Sequence, residues 1–306
     1  MHNYSRSALY LDGAWVESRG DGMIEVIDPA TEQVIGSVPN GNAADVDAAV
    51  AAARNAFDPL ITLDERRDRL AAVITAMDKR LPEIAETITA EMGAPIRVAQ
   101  TVQTQVPLAV ARGFADALNT FEFEERIGNS LVVREPYGVV AAITPWNYPL
   151  YQVVAKVLPA IAAGCTVVLK PSNEAPLSVF EFVEAVEDAG LPPGVVNLVS
   201  GPGAVIGERM AEHSDVDFVS FTGSTGVGSR VGELAGRTVK KVALELGGKS
   251  ANVILDGANL ATAVKVGVGN AFLNGGQTCM AWTRMLVSRK RYGEALDLVQ
   301  AAVAKY

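Results

Sequence analysis

Histidine is nearly absent from this sequence. There are two, His2 and His213, among 306 residues. His2 lies in the terminal stretch, and His213 falls in the polar run Glu212-His213-Ser214-Asp215, read as a loop between a helix and a strand. A Ser-His-Asp triad or a histidine-bearing zinc site would have to draw on one of these two, and neither context suits it. A general base is therefore expected to be a carboxylate, and no metal site is expected. Cysteine is equally scarce. Cys165 and Cys279 make no disulfide framework, which fits a reducing compartment. Basic charge is also short: 26 Lys and Arg against 35 Asp and Glu leave a net −9, which argues against a nucleic-acid surface. Long apolar runs are missing too. The stretch 153–168 is interrupted by Lys156, Pro159 and Gly164, and no signal-peptide core follows Met1. No membrane partner is expected, and cytoplasm is the expected location. What the chain does have is 49% apolar residues, enough to build a sizeable core in one large domain or two ordinary ones.

The first forty residues read as short strands and turns. Leu11-Asp12-Gly13-Ala14-Trp15-Val16 predicts a hairpin with an Asp-Gly turn, and 24–27 and 33–38 are further strands. Helices follow. Val46, Val50, Ala53 and Phe57 form one apolar stripe. Thr62-Leu63-Asp64-Glu65 is a capping box opening a second helix. A separate helix is expected from Pro82 to Met92, stopping at Gly93, and a longer one over 96–119, weakened by Pro107 and Gly113. Residues 121–136 read as two strands joined through Ile127-Gly128-Asn129-Ser130. An isolated hairpin is marginal in water, so this one is expected to pair with another sheet or another subunit.

From Val139 strands and helices alternate. Strands are expected at 139–143, 166–169, 195–199, 216–221 and 239–244, with helices between them. That rhythm predicts a parallel sheet with right-handed crossovers, and ligands in such sheets bind beyond the carboxyl ends of the strands. The loops there carry the candidate chemistry. Gly223-Ser224-Thr225-Gly226-Val227-Gly228 follows a strand and opens a helix, a place where a pyrophosphate can approach backbone N–H groups. The pattern is not the usual dinucleotide fingerprint, and a glycine-rich turn without a ligand fits it equally well. Gly201-Pro202-Gly203 is weaker still. Lys170, at a strand end, suits ribose or phosphate, or is an ordinary solvated lysine. Asn147, read as buried among Pro145, Trp146, Tyr148 and Pro149, is a candidate oxyanion donor or a turn asparagine. Glu245 ends the apolar strand Val242-Ala243-Leu244. A carboxylate partly buried there would suit general-base work; the alternative is a strand-end carboxylate satisfied by nearby amides or Lys249. Cys279 follows Gly275-Gly276 at an element junction, where a thiol can be exposed and activated by aligned backbone dipoles. A lone cysteine is more often a small buried apolar residue, and Cys165 is read that way.

Five stretches in order resemble the aldehyde dehydrogenase superfamily: Pro145-Trp146-Asn147-Tyr148-Pro149, Lys170-Pro171-Ser172, Phe221-Thr222-Gly223-Ser224-Thr225, Leu244-Glu245-Leu246-Gly247-Gly248-Lys249-Ser250, and Phe272 through Cys279 to Arg284. The resemblance covers nearly the whole chain. It implies an NAD(P)-dependent oxidation of an aldehyde to a carboxylic acid, with Cys279 as nucleophile, Asn147 as oxyanion donor and Glu245 as the base for thioester hydrolysis. It implies cofactor contacts at Thr144, Pro145, Trp146, Lys170, Ser172, Gly203, Thr222, Gly223, Ser224, Val227 and Leu246. Lys170 would hold the adenosine ribose, Trp146 and Ser224 would lie along the pyrophosphate, and Gly203 would border the adenine. The implied fold is α/β: a Rossmann-like cofactor domain over 1–120 and 137–247, an oligomerisation hairpin over 121–136, and the first part of an α/β catalytic domain over 248–306. A homo-oligomer, dimer or tetramer, is implied with it. Many NAD-using members carry a glutamate three residues after the lysine. Here that position is Asn173, with Glu174 next, so NAD is preferred and NADP is left open. Members are also longer, so the chain is expected to be cut short at its C-terminus. The rival readings are a cofactor-binding but catalytically incomplete fragment, and a cysteine esterase using Cys279 and Glu245.

Overall fold

The computed structural model describes residues 4–306; His2 lies outside the described residues. Two compact units emerge, residues 1–245 and 246–306.

The first unit opens with β1 (Leu9–Leu11) and β2 (Ala14–Val16). They turn at Asp12 and Gly13, with φ of 51° and 77°, the left-handed pair that an Asp-Gly hairpin supplies. A second antiparallel pair is β3 (Met23–Ile27) with β4 (Val34–Pro39). Helix α1 (Ala43–Ala56) starts at a capping box of Asn42 and Asp45. Helix α2 runs unbroken over Leu63–Met92, from the Thr62–Glu65 capping box to Gly93, which takes φ 78°. The separate helix expected from Pro82 is therefore a continuation. Pro82 sits on the exposed face, where water can take the carbonyl freed at Asp78, while Met77, Leu81, Ile84, Ala85, Ile88 and Met92 stay buried in one stripe. Burying each large side chain contributes about 1.5–3 kcal/mol, so the stripe outweighs a proline defect of about 3 kcal/mol.

The long helix expected over 96–119 is interrupted. A short α3 (Ile96–Val98) passes into a π-helical turn, Ala99–Gln103, before α4 (Gln105–Ala117). Pro107 is harmless because it lies in the first turn of α4, where its missing N–H has no partner to lose. The hairpin strands β5 (Glu124–Ile127) and β6 (Ser130–Val133) turn through Gly128 and Asn129 and pair, among the described residues, with no other strand.

The remaining elements of this unit are β7 (Val139–Ile143), α5 (Pro149–Ala162), β8 (Thr166–Lys170), α6 (Leu177–Asp188), β9 (Val196–Leu198), a π-helical turn Gly203–Gly207, α7 (Glu208–Glu212), β10 (Phe218–Gly223), α8 (Thr225–Gly236) and β11 (Lys241–Leu246). The last strand starts later than expected because Val239 sits in a left-handed turn at φ 57°. One seven-stranded sheet results, in the order β11-β10-β7-β8-β9-β1-β2. Strands β10, β7, β8 and β9 are mutually parallel, as the alternation predicts. The β1–β2 hairpin joins antiparallel through Tyr10 opposite Leu198, a long-range pairing that local pattern does not announce. Every residue of β7 and β8 is buried, which is why both read as continuous apolar runs. Val140, Ala142, Val167, Leu169, Val196 and Leu198 share one core with residues of α2, α4, α5 and α6.

The second unit holds β12 (Ala251–Ile254), α9 (Leu260–Phe272), a 3-10 turn Leu273–Gly276, β13 (Arg284–Val287) and α10 (Tyr292–Val303). β12 and β13 are a parallel pair, and Ile254, Leu260, Val264, Val268 and Ala295 form a small core of their own. No helix among the described residues is long and apolar enough to cross a membrane.

Candidate active site

The chain runs outward from β7 in two directions, to β8 and β9 on one side and to β10 on the other. Where strand order reverses, the loops leaving the strand ends diverge and leave a crevice. The loops after β7 and β10 flank that switch point. After β7, buried Thr144 donates its N–H to the Lys170 carbonyl at 3.0 Å, tying the loop to the end of β8. Trp146 is exposed, and Asn147 is half-buried rather than buried. The loop then enters α5 at Pro149, whose missing N–H is tolerated in a first turn. The Asn147 carbonyl accepts the side-chain N–H of Gln103 at 2.9 Å.

Near the end of β10, buried Thr222 has a hydroxyl with no hydrogen-bond partner among the described residues. A Cβ at Gly223 would stand 2.5 Å from the tip of the Phe221 ring, so any larger residue there would have to displace that ring. Ser224 caps α8, accepting the Val227 N–H at 3.3 Å. Gly226 has open space on its Cβ side and Val227 is exposed, so the first turn of α8 can be approached by an anion.

Lys170 at the end of β8 is buried, and burial pushes its ammonium down to about 8 against the opposing pull of Glu174. It donates to the Pro171 carbonyl at 2.8 Å. The Ser172 hydroxyl bonds to the Glu174 carboxylate, and Asn173 lies between them, half-buried. Gly203 is exposed at the start of its π-turn with nothing near its Cβ position. An orphaned hydroxyl, a buried cation and an open helix N-terminus fit a polar, phosphate-bearing ligand.

In the second unit Asn274, Gly275 and Gly276 all adopt positive φ, 56°, 66° and 79°, and throw the chain out of α9. Cys279 follows on an exposed turn, with the Ala281 N–H bonded to the Thr278 carbonyl at 3.1 Å. No helix starts there among the described residues, so the aligned dipoles expected at this junction are not those of a helix. The Trp282 N–H is held by the Asn270 side chain at 2.9 Å. Leu246 is half-buried.

The sequence profile of the aldehyde dehydrogenase family matches residues 15–306. The chain belongs to this family. It is 49% identical over 300 residues to a 3-succinoylsemialdehyde-pyridine dehydrogenase of a Pseudomonas species, covering 95% of this chain and 62% of that protein. Its fold is similar to that of aldehyde dehydrogenase C from Pseudomonas syringae, a cysteine-to-alanine mutant of which was solved with NAD+ and octanal. The TM-score is 0.96 and identity 46%, over 98% of this chain and 62% of that one. An aldehyde dehydrogenase from Bartonella henselae gives a TM-score of 0.95 at 40% identity, over all of this chain and 65% of that one. The chain thus spans a little under two thirds of the length of these relatives.

One polar group in this chain has no motif to announce it. Lys156 of α5 is buried, with Nζ 3.0 Å from the Ser220 hydroxyl of β10. Burial pushes its ammonium down to about 8, and the negative charge of Glu245 pulls the other way. In the sequence Lys156 registers only as an interruption of an apolar run; a charge on the buried face of an amphipathic helix was the available signal. Glu245 itself is exposed, not partly buried, because β11 is an edge strand of the sheet with most of its residues in solvent.

Proposed function

We propose that the protein carrying this chain oxidises an aldehyde to a carboxylic acid with NAD, NADP being admitted by Asn173. Cys279 attacks the aldehyde carbon through its thiolate. The developing oxyanion accepts hydrogen bonds from the Asn147 side-chain amide and the Cys279 backbone N–H. The dinucleotide, when bound, supplies the hydride acceptor that turns the sulfur adduct into a thioester. Glu245 then takes a proton from the water that hydrolyses it, and Lys156 provides a nearby cation that steadies the carboxylate's charge.

The cofactor cradle is the set Thr144, Pro145, Trp146, Lys170, Ser172, Gly203, Thr222, Gly223, Ser224, Val227 and Leu246. Lys170 takes the adenosine ribose and the capped start of α8 takes the pyrophosphate. Residues 1–120 and 137–247 are assigned as the cofactor domain and 248–306 as the first part of the catalytic domain. The hairpin 121–136 is assigned to homo-oligomer formation: it leaves Ile127, Leu131 and Val133 exposed and pairs with no other strand among the described residues. Cytoplasm remains the assigned location.

The observation that carries this reading is the orphaned Thr222 hydroxyl beside the Ser224-capped helix at the switch point. The test is aldehyde-dependent formation of reduced nicotinamide. Cys279→Ala is expected to lower kcat by a factor of about 10⁴ or more, in the manner of lost covalent nucleophiles. A variant that kept the parent rate would remove Cys279 from the chemistry.

A further inference from the structure

The interruption before α4 has a polar side chain at its end. Gln103 closes the π-helical turn Ala99–Gln103 and is completely buried. A buried amide is costly unless its hydrogen bonds are made, so its partners are informative. Its Nε2 donates to the backbone carbonyl of Asn147 at 2.9 Å and lies 3.7 Å from the Met92 sulfur. The turn is itself supported. Buried Thr104 shares its hydroxyl proton between the carbonyls of Ala99 and Gln100, at 3.0 and 3.1 Å.

An extra residue in a helical turn rotates everything after it by about 100° around the axis. The π-turn therefore decides which way Gln103 faces. Fixing the Asn147 carbonyl fixes the plane of the peptide between Asn147 and Tyr148, and with it the backbone torsion from which the Asn147 side chain departs. We propose that Gln103 is a positioning residue for Asn147: its buried amide, delivered by the π-turn, sets the direction in which the Asn147 side chain is presented. This rests on the oxyanion role assigned to Asn147 above, but the positioning itself does not depend on that role.

The experiment uses the protein with Gln103→Met, which keeps the volume and removes the donor, and Gln103→Glu, which can donate only while its carboxyl is protonated. The first readout is amide hydrogen exchange at Trp146, Asn147 and Tyr148. Gln103→Met is expected to lower protection there about tenfold, as one lost hydrogen bond of ordinary strength does. In Gln103→Glu the protection should be highest at low pH and fall as pH rises, whereas the parent's should not. Parent-like protection in Gln103→Met, or a parent-like pH profile in Gln103→Glu, overturns the inference. The second readout is turnover. A misplaced donor should cut kcat by about ten- to a hundredfold, while KM for the dinucleotide stays within about twofold. A changed KM with unchanged kcat overturns it. Asn147→Ala is run alongside. If that variant keeps the parent kcat, the oxyanion role fails and the catalytic half of this inference with it, while loop protection still decides whether Gln103 holds Asn147.

Discussion

Lys170 and Lys156 are buried to nearly the same depth, 4% and 7% exposed, and burial pushes both ammonium groups down to about 8. Their surroundings differ. Lys170 closes a parallel strand, spends a donor on the Pro171 carbonyl and faces the charge of Glu174. Lys156 rides on a helix, donates to Ser220 on the neighbouring strand and feels Glu245. The same desolvation thus marks two regions, one assigned to holding the cofactor and one to the chemistry. A buried lysine is costly to keep charged, so each position asks for a return in binding or catalysis.

Exchanging each lysine for methionine tests the division most sharply. Lys170→Met is expected to weaken NAD binding by about ten- to a hundredfold, the loss of charge-assisted hydrogen bonds worth about 1.5–3 kcal/mol, with kcat at saturation changed far less. Lys156→Met is expected to leave the NAD dissociation constant within about twofold and to lower kcat about tenfold, as the loss of a group assisting proton transfer does. Titration of NAD and steady-state turnover measure both. If the two variants shift the same parameter, the comparison collapses into one site.

The second test uses pH. Both lysines fall from 10.5 to about 8 in the folded chain. Below about 8 they are charged in both states and the whole desolvation cost is present; from there to about 10.5 the folded lysines lose protons first and the cost fades. Two buried carboxylates run the other way. Burial pushes Glu91 up to about 7 and Glu181 up to about 8, from 4.5. Their cost is absent at low pH, where both states are protonated, and grows as pH rises through that window. Stability is therefore expected to pass through a minimum near pH 8, with an alkaline recovery smaller by about 3 kcal/mol in Lys156→Met. Urea midpoints across the range measure it: a profile rising steadily from acid to pH 8 would contradict the two carboxylate assignments, and one that fails to rise from about 8 to 10.5 would contradict the two lysine ones. NAD affinity has the opposite alkaline trend: it should fall above about pH 8 as Lys170 loses its charge.

The same contrast explains what sequence reading reached. Strands β7 and β8 were legible because burial on both faces writes an unbroken apolar run, and the Asp12-Gly13 turn because only certain residues accept left-handed backbone. The loops after β7, β8 and β10 were legible as motifs, and the Thr144–Lys170 hydrogen bond brings two of them together. Pro82 misled because a local rule about proline yields to a stripe of six buried side chains. The π-turn had no local signature. The exposure of Glu245 and the partners of Lys156 depend on strand order, which is set by contacts far apart in sequence.

The smallest expected effect is the most discriminating for the cradle. Thr222, the penultimate residue of β10, has a buried hydroxyl that no group among the described residues satisfies. Valine has nearly the same shape and no such group. If the hydroxyl is kept for a ligand, Thr222→Val should stabilise the ligand-free protein by about 1 kcal/mol, because an unsatisfied buried polar group is removed. It should also weaken NAD binding, by roughly fivefold, because one hydrogen bond of ordinary strength is lost. Thermal melts with and without NAD read both signs in one experiment: the free protein melts higher and the NAD-induced shift shrinks. A higher melting point with an undiminished NAD shift would mean that the hydroxyl serves nothing bound there, and the cradle would then rest on Lys170 and the start of α8 alone.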